Sequence, residues 1–213
     1  MSKIDELISE LCPKGIEFQD LNKVATIKRG VRVTKKDLLE DGKYPVVSGG
    51  IGYMGYINDY NRESETITIA QYGTAGFVKW QTRKFWANDV CFSVIPNLKV
   101  IDNKYLYYFL ADKQEYLYGI SNRNAVPYSI DKEKILKIKI PLPPLEVQRE
   151  VVKVLDTFTQ LEAELSAELS AELSARRKQY EYYRNQLLSF GELTERERER
   201  ERESKMDDAR GDM

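Results

Sequence analysis

The chain has 213 residues and a net charge of −1, so its overall charge does not by itself indicate a nucleic-acid partner. It contains no histidine, which excludes Ser-His-Asp and Cys-His catalysis as well as histidine metal ligands. Its two cysteines, Cys12 and Cys91, form no Cys-x-x-Cys pattern, so no zinc or other metal site is expected. No signal peptide is recognisable and no apolar run reaches about 18 residues, so we expect a soluble, cytoplasmic protein.

The charges are unevenly distributed along the chain. Residues 1–150 contain 22 Lys and Arg against 19 Asp and Glu, whereas residues 151–213 contain 11 against 15. A local basic face is therefore possible in the first part of the chain, but a strong positive field is not.

Residues 1–142 predict a β-rich α+β domain. Apolar residues at helical spacing predict a first helix at residues 3–12, and a capped helical turn is expected at 34–38. A helix with an aromatic face is expected at 104–113, and polar loops or turns at 72–76, 81–84 and 119–128. Strands are expected at the end of 17–29 and at 44–48, 66–70 (half-buried, because apolar residues alternate), 77–80, 90–95 and 135–140.

Residues 143–190 predict one long helix. Pro143 and Pro144 suit a first helical turn, and neither Pro nor Gly follows until Gly191, which suits a stop. Such a helix is about 65–70 Å long at 1.5 Å per residue, longer than a small domain is wide, so its apolar stripe needs a partner helix. We therefore expect an antiparallel coiled coil whose contacts include Val151, Leu155, Phe158, Leu161, Leu165, Leu169, Leu173, Tyr180 and Leu187.

The middle of this helix is a tandem repeat of Ala-Glu-Leu-Ser, which occurs three times at residues 163–174. One interpretation is a molecular ruler that holds two elements at a set distance, and the alternative is a solvated surface helix of low complexity. The tail at 191–213 has little to bury and is expected to be disordered or a frayed helix. Its Glu-Arg alternation is what a repeated GA nucleotide tract encodes, so the residues after Glu203 suit an out-of-frame ending.

Evidence for catalysis is weak. Gly50, Gly52 and Gly55 match the dinucleotide pattern Gly-x-Gly-x-x-Gly, but the residues that follow do not suggest the helix N-terminus that would hold a pyrophosphate. The glycines are more typical of a bend or of close backbone packing. The chain has neither a phosphate-binding Walker A sequence nor an adenine-methyltransferase motif, so we expect a non-enzyme without a cofactor.

Polar loops in the first domain contain residue types that suit DNA. Lys and Arg bind phosphates, Arg also binds guanine edges, and Asn and Gln bind adenine edges. Each cluster taken alone is also typical of a solvated turn. The candidates are Lys28, Arg29, Arg32, Tyr72, Thr74, Lys79, Gln81, Arg83, Lys84, Asn122, Arg123 and Asn124.

The sequence resembles the specificity (S) subunits of type I restriction-modification systems over residues 1 to about 190. The most specific resemblance is Leu-Pro-Pro-Leu-Glu-Val-Gln at 142–148, where the predicted long helix begins, together with the residues at 151–156 that follow it. Further similar segments lie at 44–57, 67–76, 85–90 and 180–188.

The resemblance implies a target recognition domain at 1–142, a spacer helix at 143–190 and a charged tail at 191–213. It implies a non-catalytic subunit that reads half of a bipartite site in double-stranded DNA and binds methyltransferase (M) subunits, which use S-adenosylmethionine. Nuclease (R) subunits can join such complexes. Tetrapeptide repeats in the spacer helices of the family set the gap between half-sites.

This chain departs from the family by having one recognition domain and one spacer helix where typical members have two of each. We therefore expect a half subunit that forms an antiparallel homodimer and reads a palindromic bipartite site. Two other hypotheses stay open at this point. One is a coiled-coil interaction protein without DNA specificity, and the other is an enzyme that binds a nucleotide at 50–55.

Overall fold

The computed structural model describes residues 2–189 and 195–203, and the chain divides into two compact units, Met1–Asp156 and Thr157–Met213. The first unit has helices α1 (Lys3–Leu11), α2 (Leu21–Val24), α3 (Asn103–Asp112), α4 (Gln114–Ile120) and α5 (Lys132–Leu136). Its strands are β1 (Phe18–Asp20), β2 (Ala25–Arg29), β3 (Tyr44–Val47), β4 (Tyr53–Ile57), β5 (Thr66–Ala70), β6 (Val78–Gln81), β7 (Trp86–Ala87), β8 (Cys91–Pro96) and β9 (Lys139–Pro141). Helix α6 (Leu145–Leu188) begins in the first unit and continues into the second, which confirms the α+β class with a long helix after the sheets.

The described strands form three sheets. The largest is antiparallel with the order β2-β8-β5-β6. In the second, with the order β4-β3-β7, strand β3 is antiparallel to β4 and parallel to β7. The third pairs β1 with β9, so the beginning of the first unit is hydrogen-bonded to the segment that leads into α6.

The main core lies between the four-stranded sheet and helices α2 to α5. Ile67 and Ile69 of β5, Leu106 and Leu110 of α3, and Leu117 of α4 are completely buried there. Burial of each such side chain contributes roughly 1.5–3 kcal/mol relative to exposure. The four-stranded sheet is therefore held in place by the helices that pack against one of its faces.

Strand β5 corrects one expectation. Its alternation predicts a half-buried strand, but all five residues are buried. The polar face is satisfied inside the sheet, because Thr68 Oγ1 donates to the carbonyl of Lys79 (3.2 Å) and accepts from Gln81 Nε2 (2.9 Å). A central strand with paired neighbours on both sides can bury its threonines, because those hydroxyls have hydrogen-bond partners.

The segment at 135–140 corrects a second expectation, because a strand was predicted and its first part is helical. Helix α5 includes Ile135, and strand pairing begins only at Lys139. Ile135 and Ile138 are both buried and are three residues apart, which is helical spacing. The apolar and lysine alternation fits either structure, and pairing of Lys139 with Asp20 decides where the strand starts.

The first turns of α6 are attached to the rest of the first unit by Gln148, which is fully buried. Its Nε2 donates to the carbonyls of Pro143 (2.7 Å) and Val100 (3.1 Å), and its Oε1 accepts from the backbone N–H of Asp102 (2.8 Å). Three main-chain groups, of which the one at Pro143 belongs to a buried residue, therefore take this one amide as a hydrogen-bond partner.

A second attachment lies further along α6, at Asp156. Its carboxylate accepts hydrogen bonds from the Tyr108 hydroxyl and from Lys104 Nζ (2.8 Å). Burial raises the pKa of Asp156, but these hydrogen bonds outweigh it and hold that pKa below its usual value. Val151 packs against the core, and Val151 and Leu155 line a groove of about 350 Å³ beside α3. Two residues predicted for the coiled coil, Val151 and Leu155, thus lie against α3 of the same chain.

In the second unit the apolar stripe of α6 is exposed. Leu161, Leu165, Leu169 and Leu173 are 54–57% accessible, and Phe158, Tyr180 and Leu187 are also exposed. Residues 195–203 are helical and exposed, whereas Gly191 and the rest of the tail lie outside the described residues. No helix in the described part of the chain is long and apolar enough to cross a membrane.

Three loops of the first unit meet through their main chains. They comprise residues 48–52, 71–76 and 122–129, and we call them the loop cluster. The backbone N–H of Thr74 (2.9 Å) and its Oγ1 (2.6 Å) both donate to the carbonyl of Gly49. The N–H of Gly73 donates to the carbonyl of Tyr128 (3.0 Å), and Asn122 and Ser129 exchange backbone hydrogen bonds. The loop at 71–76 is therefore hydrogen-bonded to both the loop at 48–52 and the loop at 122–129.

Gly49 permits this approach because it has no side chain. A Cβ at Gly49 would lie 2.3 Å from the carbonyl oxygen of Tyr72, well inside contact distance. Gly52, in the same loop, would meet nothing within 4 Å. Close packing thus explains Gly49, while Gly50 and Gly52 lie in the connection from β3 to β4 and lead into a strand, not into a phosphate-binding helix N-terminus.

Replacing Gln148 by Ala should lower the free energy of unfolding by roughly 2–4 kcal/mol, because three main-chain groups lose their partner and a completely buried side chain is removed. Urea denaturation followed by tryptophan fluorescence measures this in the first unit, which holds both tryptophans, Trp80 and Trp86. The matched control is Gln160→Ala, whose exposed side chain bonds only to Glu164 in the described structure and should change stability by less than about 0.5 kcal/mol. Equal effects of the two substitutions would contradict the role given to Gln148.

Replacing Gly49 by Ala should destabilise the first unit by roughly 1–3 kcal/mol, because the Tyr72 carbonyl must move away from the new methyl group. Gly52→Ala, three residues away, should be nearly neutral. Thermal unfolding of both variants checks this pair. If Gly49→Ala unfolds at the wild-type temperature, the loops are not packed as described.

Candidate nucleic-acid interface

The loop cluster presents Arg123 in a fixed setting. Its guanidinium carbon lies 5.0 Å from the ring centroid of Tyr118 and 4.9 Å from that of Tyr128. Cation–π contacts of this kind are worth about 0.5–1 kcal/mol each at exposed sites. The loop itself is turned by Asn122, whose Oδ1 accepts from the backbone N–H of Asn124 (3.0 Å). The side chain of Arg123 is exposed, and its orientation is set by two aromatic rings.

The neighbouring candidates in the cluster differ in what they offer to a ligand. Thr74 uses its hydroxyl on the carbonyl of Gly49, so it holds the loops together. Tyr72 forms an isolated β-bridge with Ser129 and is half-buried. Asn122 and Asn124 are exposed, although the side-chain Oδ1 of Asn122 already accepts from the backbone N–H of Asn124.

A second group of cations lies over the tyrosines of β4 and of the loop that follows it. Lys79 Nζ is 4.7 Å from the ring centroid of Tyr53, and the Arg83 guanidinium lies 5.2 Å from Tyr53 and 5.7 Å from Tyr56. Lys84 Nζ lies 4.3 Å from Tyr60. We call Lys79, Arg83 and Lys84 with these three tyrosines the tyrosine–cation surface.

The tyrosine–cation surface adjoins the loop cluster, because Lys79 Nζ donates to the carbonyl of Ile51 (3.1 Å). A hydrogen bond to Tyr56 raises the pKa of Arg83. Hydrogen bonds to Tyr60 and Glu63 raise the pKa of Lys84. Both side chains therefore carry their positive charge at neutral pH, and Lys84 is partly neutralised by Glu63 at 3.0 Å.

The candidates at 28–32 belong to a separate segment. Lys28 and Arg29 are on β2 and Arg32 follows it, and all three are exposed. Arg29 Nε donates to the carbonyl of Asp89 (2.6 Å), so its side chain is partly committed to the fold. The backbone of this segment approaches closely at Gly30, where a Cβ would lie 2.1 Å from the carbonyl oxygen of Asn88.

Buried Asn88 connects that segment to the edge of the loop cluster. Its Oδ1 accepts from the backbone N–H of Val33 (3.1 Å), and its Nδ2 lies 3.4 Å from Ser48 Oγ. Sequence reasoning did not single out Asn88. The described contacts link the three groups through backbone and amide hydrogen bonds, without a direct contact between their candidate cations.

Gln81 must be removed from the candidates for DNA contact. It is 1% exposed and its Nε2 donates to Thr68 Oγ1, because the expected polar turn at 81–84 begins one residue later, after β6. Sequence reasoning also missed the aromatic partners of the cations. They are Tyr53, Tyr56, Tyr60, Tyr118 and Tyr128, and their only signal was the abundance of tyrosine near polar loops.

The described residues contain no group of three or more His, Cys, Asp or Glu side chains placed to hold a metal ion. Burial raises the pKa of the Cys91 thiol to about 12, so this thiol stays protonated and is a poor nucleophile at neutral pH. The side chains that the fold does present are cationic, amide and aromatic, and these suit the binding of a nucleic acid.

Comparison with known proteins identifies the family to which the chain is similar. A protein of Haemophilus influenzae named as a type I restriction enzyme specificity subunit is 38% identical over 199 residues, covering 84% of this chain and 47% of that protein. A Mycoplasma pneumoniae protein named as a type I specificity subunit is 32% identical over 179 residues, covering 82% and 47%. The chain thus spans about half the length of these curated relatives.

The fold is also shared with a solved structure. The S subunit of a type I restriction-modification system from M. genitalium superposes with a TM-score of 0.64 at 20% identity, covering 68% of this chain and 39% of that one. The family described as "Type I restriction modification DNA specificity domain" matches residues 13–175, which is most of the chain. The chain therefore belongs to the type I restriction-modification DNA specificity family.

Proposed function

We propose that this chain is a half-length specificity subunit of a type I restriction-modification complex. The family match over residues 13–175, most of which lie in the one compact unit Met1–Asp156, is the observation that carries the proposal. Residues 1–142 bind one half of a bipartite site in double-stranded DNA, and the helix at 143–190 is the spacer. The chain recognises DNA without catalysis of its own, and M subunits supply S-adenosylmethionine-dependent methylation. R subunits join when the complex restricts DNA.

The charge distribution supports DNA binding by the first unit. Lys79, Arg83 and Arg123 are held over tyrosine rings next to loops that are tied by their main chains. Rings that fix a cation reduce the conformational entropy it loses when a phosphate or base edge is bound. DNA affinity of this kind falls with salt, since each neutralised phosphate releases counterions.

The exposed leucine stripe supports pairing with a second copy. Leu161, Leu165, Leu169 and Leu173 are each more than half accessible in the single chain, which is unfavourable in water. A second copy with its helix antiparallel would cover the stripe with the same residues. Such a dimer has two-fold symmetry and contains two recognition units, so it reads a palindromic bipartite site. The proposed location of this dimer is the cytoplasm.

The four-residue repeat supports a spacer role for the helix. Each Ala-Glu-Leu-Ser unit adds about 6 Å of helix, whereas one base pair adds about 3.4 Å of duplex. The number of repeats therefore sets the separation of the two recognition units in coarse steps of about two base pairs.

The first experiment is a methylome. When the chain is expressed with its M subunit in a host that lacks adenine methylation, N6-methyladenine should map to a palindromic bipartite motif. An asymmetric motif would show that another specificity chain supplies the second half, contradicting the symmetric dimer. No sequence-dependent methylation, with folded chain and M subunit present, would contradict DNA specificity and favour a coiled-coil interaction module.

The pairing of helices is tested by sedimentation equilibrium of the full chain. The wild type should be a dimer, and Leu165→Glu with Leu169→Glu should shift it to a monomer, because buried unpaired carboxylates are costly. The matched control is Ala163→Glu with Ala167→Glu, which places the same charges about 160–200° around the helix and should leave the dimer intact. A wild-type chain that stays monomeric, alone and with M subunits bound, would contradict the proposal.

A further inference from the structure

The cations of the first unit fall into two different settings, and the difference has consequences for what each can bind. On the tyrosine–cation surface every cation already has a polar partner. Lys79 bonds the carbonyl of Ile51, Arg83 lies 3.4 Å from the Tyr56 hydroxyl, and Lys84 bonds Tyr60 and Glu63. These side chains already form hydrogen bonds within the chain, and they add positive charge to its surface.

Arg123 is different because only its Nε takes part in a hydrogen bond among the described residues, while Nη1 and Nη2 take part in none. The rings of Tyr118 and Tyr128 lie at nearly equal distances, 5.0 and 4.9 Å. Its Nε is directed to the carbonyl of Tyr118 at a long 3.4 Å. Among the ion pairs of the described residues none involves Arg123.

This leaves the outer edge of the guanidinium, with Nη1 and Nη2, as a planar pair of donors. Two parallel N–H groups in a fixed plane match the O6 and N7 acceptors of guanine in the major groove. Lysine lacks this geometry because its ammonium is a point charge on a flexible stem. A stacked arginine therefore pays less conformational entropy for bidentate binding than a free one.

The same loop has a second feature that indicates contact with a ligand. Val126, three residues after Arg123, is 96% exposed, the highest value among the exposed large apolar side chains of the described residues. It lies beside Pro127 and Tyr128, which line a groove of about 270 Å³ with Gly73 of the neighbouring loop. An apolar tip next to a preorganised arginine is suited to contact base edges, including a thymine methyl group.

We propose that Arg123 is a base-reading residue that binds a guanine in the half-site, while the tyrosine–cation surface binds phosphates. The inference rests on the proposed function and adds to it a chemical constraint on the target: the half-site contains a G·C pair read through the major groove. Tyr118 and Tyr128 are positioning residues for Arg123.

The test uses the full chain in complex with its M subunit. The probes are a duplex carrying the motif mapped for the wild type and a set in which each base pair of the half-site is replaced in turn. Arg123→Lys keeps the positive charge but removes the planar pair of N–H donors, so it should reduce discrimination at one G·C position by about 5- to 100-fold. Discrimination at the other positions should stay unchanged, and the methylome of the variant should show the motif relaxed at that position alone.

The matched control is Arg83→Gln on the tyrosine–cation surface. It should weaken binding to all duplexes by a similar factor and reduce the slope of log affinity against log salt by about one. Tyr128→Phe keeps the ring and should keep discrimination at the guanine, whereas Tyr128→Ser should reduce it with Arg123 still present. Circular dichroism of each variant separates these effects from unfolding.

The inference is overturned if Arg123→Lys keeps discrimination at every position, or if it weakens all duplexes equally as a phosphate contact would. A wild-type motif without a G·C pair in the half-site overturns it as well, and these results leave the proposed function standing. If the wild-type complex shows no sequence-dependent methylation or binding, the proposed function fails and the inference fails with it.

Discussion

The loop cluster of the candidate nucleic-acid interface depends on hydrogen bonds between main chains of three loops that are far apart in sequence. The carbonyl of Gly49 receives two donors from Thr74, and Gly73 donates to Tyr128. Because these are backbone groups, the loops hold their positions without relying on the side chains that face outward, Thr74 excepted. A fixed frame with replaceable side chains is what a recognition surface requires, since the target can change without loss of the fold.

Local signals in the sequence were sufficient for several elements. Thr34 and Asp37 form a reciprocal cap around one helical turn, as their spacing predicts. Pro143 and Pro144 precede a helix that runs unbroken to Leu188, because nothing in between interrupts its hydrogen bonding. Such features are decided within a few residues of chain, so a pattern is enough to predict them.

The elements that were missed are decided by partners distant in sequence. The burial of Thr68 and Gln81 depends on β5 lying between β6 and β8, which no local pattern reveals. Arg123 is an exception, because Tyr118 and Tyr128 are each five residues away along the chain and come near its guanidinium only through the path of the loop after α4. The sequence analysis identified the cations of the candidate interface, but their aromatic partners required the three-dimensional structure.

The attachment of α6 has a consequence for how such chains can change over time. All three partners of Gln148 are main-chain groups, at Pro143, Val100 and Asp102. The Gln148 contacts therefore make no demand on the identity of neighbouring side chains, whereas the Asp156 contacts require Tyr108 and Lys104. Recombination between genes at this point would join a different first unit to the same helix with the Gln148 contacts intact, and the Asp156 contacts would survive where that unit keeps those two side chains. A first unit that keeps them could thus be exchanged in one genetic event, without compensating substitutions in the helix.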